Sequence, residues 1–82
     1  DHNIISIAKC GENIFTNVCK YKYFSIVPIF ENTVMTIKNS KYEVENMILT
    51  FDRPNATSNE FVDDKNIVLN VSKKVLVIYS RD

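Results

Sequence analysis

The chain has 82 residues, and its ten lysine or arginine side chains are balanced by ten aspartate or glutamate, for a formal net charge of zero. That length supports one β-rich domain over residues 1–82, with no room for a second core and only modest stability. No basic excess is present to attract a polyanion, and no apolar run approaches the roughly 18 residues of a membrane-spanning helix.

Residue choice favours strands. Ile, Val, Thr, Phe and Tyr fill 33 positions, against three Leu and two Ala. β-Branched and aromatic side chains lose rotamer freedom in a helix but pack well on a pleated surface. The fold read from this is mainly β, a small antiparallel β-sandwich or barrel of five to seven strands. The first residue is Asp1 rather than Met, which reads as a processed or excised segment.

Asn3 to Ala8 is the first expected strand. It ends at Cys10-Gly11, where the only glycine offers the positive φ of a turn over Gly11-Glu12-Asn13. Ile14 to Cys19 is the returning strand. Tyr21 to Phe30 then alternates, with Phe24, Ile26 and Phe30 on one face and Tyr23, Val27 and Ile29 on the other. Pro28 cannot donate to a ladder, so pairing should weaken there. After a turn at Glu31-Asn32, Thr33 to Lys38 completes an expected hairpin with 24–30.

Residues 40 to 51 carry two patterns at once. Ser40-Lys41-Tyr42-Glu43 matches a capping box, and Val44, Met47, Ile48 and Phe51 recur as one stripe of a helix. Met47, Leu49 and Phe51 alternate instead as a strand would. Helix and strand therefore both stand for 41–50. Asp52 to Asn59 is a polar loop, Glu60 to Asp63 a short strand, and Asp64-Lys65-Asn66 a turn. Ile67 to Val71 and Val75 to Tyr79 follow as two strands expected to pair around Ser72-Lys73-Lys74. Residues 75 to 80 are the most strand-prone window, flanked by the charges of Lys73, Lys74, Arg81 and Asp82. They read as a core strand and, if at a sheet edge, as the place where a partner strand docks.

Several residues invite chemistry. Cys10 and Cys19 flank the glycine turn, and a disulfide between them would add roughly 2.7 kcal/mol by the loop-entropy argument. Asn55-Ala56-Thr57 and Asn70-Val71-Ser72 match the glycosylation sequon, though ten Asn and eleven Ser or Thr produce about one match by chance. Lys20, Tyr21, Lys22 and Tyr23 are the binding candidates, since aromatics on a sheet beside lysines can hold bases and phosphates. Alternation lets only two tyrosines share that platform, and a neutral chain lacks counterion release, so nucleic acid is not favoured. One histidine, one glycine and two cysteines supply neither a nucleophile–base pair, a phosphate loop nor a zinc site.

These residues point to a non-enzymatic, secreted or surface-exposed recognition module that binds a protein or glycan. It would be a disulfide-bonded, extracellular glycoprotein without cofactor or metal, and could form a homo-oligomer through an edge strand. A cytosolic OB-like binder of single-stranded nucleic acid is the first alternative. A structural subunit that assembles through an exposed edge strand is the second.

Overall fold

Most of the chain offers apolar residues at every second position. A strand can bury such a stripe on one side only, so two sheets must face each other across a shared core. The computed structural model describes residues 3–16, 21–52 and 58–81. Among the described residues there are eight strands and no helix: β1 (Ile4–Ala8), β2 (Gly11–Phe15), β3 (Tyr23–Pro28), β4 (Thr33–Lys38), β5 (Val44–Leu49), β6 (Ser58–Glu60), β7 (Ile67–Val71) and β8 (Val75–Ser80). They form a small antiparallel β-sandwich. Sheet I has the order β1-β8-β3-β6 and sheet II the order β2-β7-β4-β5.

The core lies between the sheets. Sheet I contributes Ala8, Phe24, Ile26, Val75 and Val77, and sheet II contributes Met35, Ile37, Leu49, Ile67, Leu69 and Val71. At one end an aromatic group closes the gap. Phe15 meets Phe24 edge-on at 5.7 Å between centroids, and Phe61 lies 4.9 Å from Phe24 and 5.9 Å from Tyr79. Burial there pushes the Tyr79 phenol above its ordinary 10.0, although a hydrogen bond with Ser6 works the other way. Raising the folded-state value favours the protonated phenol, so this contribution is present below about pH 10 and is lost as pH climbs through the raised value. Alkaline melts should show Tyr79→Phe losing less stability than wild type above that pH. Parallel curves would rule the linkage out.

Strand pairing departs from the expected hairpins. β1 pairs with β8 and β2 with β7, so the two strands joined through Lys9 and Cys10 lie in different sheets. The same holds for β3 with β4, and for β7 with β8. Gly11 does adopt a positive φ, 105°, but as the first residue of β2 rather than within a tight turn. Strand β8 is central, with β1 on one side and β3 on the other, so it offers no free edge to a docking strand. Pro28 ends β3, where its missing N–H costs little.

The double pattern at 40–51 has a structural cause. β5 pairs with β4 through Met47 and Met35, then through Val44 and Ile37, with a register shift between. Asn46 takes a φ of 55° and its N–H donates to Thr36 Oγ1 at 3.0 Å, so an extra residue bulges out. The bulge turns both Val44 and Met47 inward, which produces helix-like spacing in a strand. Ile48 and Phe51, which a helix would have buried, are both exposed.

Cys10 is an exposed free thiol whose Sγ donates to the Ser72 carbonyl at 3.1 Å. This corrects the expected disulfide, which assumed that β1 and β2 form one hairpin; Cys19 itself lies outside the described residues. A thiol reagent should label Cys10 in native, unreduced protein, and failure to label would restore the bridge.

Candidate ligand-binding edge

Strand β6 has only three residues and closes one edge of sheet I against β3. A side chain holds it there. Asn59 is 5% exposed; its Oδ1 accepts from the N–H of Tyr42 at 3.0 Å and of Glu60 at 2.9 Å, and its Nδ2 donates to the Tyr42 carbonyl at 2.8 Å. The carboxamide thus does for Tyr42 what a neighbouring strand's backbone would do. Lys41 N–H donates to the Glu60 carbonyl at 3.0 Å and Phe61 N–H to the Lys22 carbonyl at 3.2 Å. Glu43 reaches back to the N–H of Asn39 at 2.6 Å, one residue beyond the Ser40 N–H that a capping box would use, on a loop with Asn39 at φ 71°.

These ties assemble rings and charges along the edge. Tyr23 lies directly opposite Glu60, and since their neighbours Phe24 and Asn59 point inward, both face out. Lys41 Nζ sits 3.5 Å from Glu60 Oε2 and 5.3 Å from the centre of the Tyr42 ring, which is 54% exposed. Hydrogen bonding to Tyr42, and then the Glu60 charge, hold the Lys41 ammonium above its usual range. Lys22 Nζ lies 5.3 Å from the Tyr23 ring. Two tyrosine faces, each already covering a cation, thus flank one carboxylate. Such a surface suits a flat organic cation, which could take the place of either ammonium.

The expected binding residues do not act as one group. Tyr21 is buried, its ring 5.9 Å from Tyr79 and 5.2 Å from the Arg81 guanidinium. Only Lys22 and Tyr23 reach the edge, and Lys20 lies outside the described residues, as does Asn55. Asn70 is exposed within β7, paired with Glu12 and Thr36 inside a sheet rather than on a loop. Tyr42, Asn59 and Glu60 were not singled out from sequence. The Ser40-to-Glu43 pattern pointed at this segment but to the wrong structure, and Asn59 looks like any other residue of its polar run.

The sequence pattern of the thiamin pyrophosphokinase vitamin B1 binding domain matches residues 2–76. The chain belongs to that family. No curated protein sequence matches it. Solved thiamin pyrophosphokinases share the fold of this vitamin B1 binding domain. The one from Bacillus subtilis superposes with a TM-score of 0.82 at 23% identity, over 98% of this chain and 38% of its own. For Geobacillus thermodenitrificans the TM-score is 0.79 at 22% identity, over 98% and 38%, and for Enterococcus faecalis it is 0.80 at 23%, over 98% and 37%. The chain therefore spans little more than a third of the length of these enzymes.

Family membership corrects the functional expectations. Membership of the vitamin B1 binding domain family replaces the recognition module and its protein or glycan ligand, and the solved structures of like fold are enzymes. The secreted, glycoprotein and extracellular readings fall with it, since they rested on a disulfide not formed at Cys10 and on sequons near their chance frequency. Among the described residues, no helix is long and apolar enough to cross a membrane.

Proposed function

We propose that this chain holds thiamin for pyrophosphoryl transfer, and that it does so at the β6 edge. The match of residues 2–76 to a vitamin B1 binding domain carries this reading. The edge supports it chemically: the thiazolium of thiamin is a flat cation, and Tyr23, Tyr42 and Glu60 offer π-faces beside a carboxylate. In the transfer itself, the thiamin hydroxyl oxygen bonds to phosphorus of a pyrophosphate-ester donor as that phosphorus's bond to the donor oxygen breaks; the rest of the donor leaves with the electron pair and the hydroxyl proton passes to solvent. This chain's part is placement, which turns a chance encounter into a fixed geometry for the attacking oxygen.

Calorimetric titration of thiamin into the chain, and into a complete pyrophosphokinase carrying it, tests the reading. Thiamin should bind, and Glu60→Gln and Tyr42→Ala should each weaken binding by about tenfold, the size expected for losing one partly desolvated cation contact. Glu60→Asp should keep part of the affinity. Absence of heat in both proteins would overturn the function, whereas binding unaffected by both variants would move the site away from this edge.

A further inference from the structure

The two outer faces of the sandwich differ in character. On sheet I, cross-strand register lines up Ile7, Leu76 and Val27 in one row, and Ile5, Ile78 and Ser25 in the next. Ile5 and Ile7 are each 62% exposed. On sheet II the corresponding middle row is polar, Glu12, Asn70 and Thr36, and it separates the apolar residues of the rows on either side, Ile14 and Val68 with Lys38, and Val34 with Ile48. Isolated apolar residues on a surface need no explanation, but a contiguous apolar patch marks a place where something packs. The patch also runs into a cleft of about 110 Å³ lined by Val27, Pro28, Thr50 and Phe51. Phe51, more than half exposed, forms its wall.

We propose that the outer face of sheet I, built on Ile5, Ile7, Val27, Leu76 and Ile78, is where the remaining, pyrophosphoryl-transferring part of a thiamin pyrophosphokinase packs. This rests on the functional reading above. Three observations select that occupant. The solved enzymes devote only 38% of their length to the matched region, so a larger body must sit beside it. Ile4 lies opposite Tyr79, so polypeptide continued from either end of the domain would leave from β1 or β8, the strands that carry the patch. Finally, the patch adjoins Tyr23 on the same face of β3, so a body seated there would border the proposed thiamin edge. An apolar side chain of that body fills the cleft at Val27 and Phe51.

Carbene footprinting tests this, comparing the 82-residue chain with a complete enzyme that carries it, whether on one polypeptide or two. Labelling of Ile5 and Ile7 should be strong in the chain and lost in the complete enzyme. Ile14 and Ile48, on the outer face of sheet II and equally exposed, are the internal control and should label alike in both. Equal labelling of Ile5 and Ile7 in the two proteins overturns the proposal. So does protection already present in the chain alone that disappears on dilution, which would give the face to a second copy. Thiamin calorimetry is an independent readout: a protected face without thiamin binding retires the vitamin site and keeps the interface, and the reverse retires only the interface.

Discussion

Val77→Asp should abolish cooperative folding. Val77 is 2% exposed and sits in β8, between Ser6 of β1 and Ile26 of β3, at the middle of sheet I. Its side chain points into the core that both sheets share. A carboxylate there meets no cation, and removing a charge from water without a partner costs several kcal/mol even after relaxation. A domain of this size has only about 4–12 kcal/mol in total. Circular dichroism of the variant should show no cooperative melt. Ile7→Asp, one row away on the exposed face of β1, is the control and should shift the midpoint little. If both variants melt alike, β8 is not the central strand of the fold.

The second large effect is expected at Asn59. Its carboxamide satisfies both backbone groups of Tyr42 and the N–H of Glu60 from a buried position. Asn59→Leu keeps the branching and the number of heavy atoms but leaves those groups without their partner. The three groups are only partly buried, so water offsets part of the about 1–3 kcal/mol that each would cost if buried and unsatisfied, and urea denaturation should show a loss of about 2–4 kcal/mol. The loss should be local in origin. Hydrogen exchange at Tyr42 and Glu60 should accelerate more than at Leu69 in the core of sheet II. Because the same contacts set Tyr42 beside Lys41 and Glu60, thiamin affinity should fall with them. A variant as stable as wild type would mean that the 39–43 loop is held by something other than this side chain.

The exposed thiol of Cys10 and the buried amide of Asn59 show how unevenly local pattern reports on a site. Sequons, a cysteine pair and interleaved lysines and tyrosines are visible motifs, yet none of them brought the site's residues together. Tyr23, Tyr42 and Glu60 meet because β6 pairs with β3 and Asn59 anchors a loop 17 residues away in sequence. Nothing in the neighbours of Asn59 announces that role.

What the residues settle by themselves is the class of structure and most of its strands. A surplus of β-branched and aromatic side chains at period two forces a pleated sheet with one buried face, so Thr33–Lys38 and Ile67–Val71 could be bounded to the residue. Which strands pair was decided only in three dimensions. A two- to four-residue connection can fold back within one sheet or arch across to the other, and either path buries the same alternate residues. In the first case the inward side chains of the two strands lie side by side, and in the second they face each other across the core. Here Ala8, Ile26 and Val77 face Leu69, Val71 and Met35 across that gap, and filling it tightly from both sides favours the arch. The bulge at Asn46 belongs to the same category: helix-like spacing in β5 exists because β4 and the core required Val44 and Met47 to point the same way.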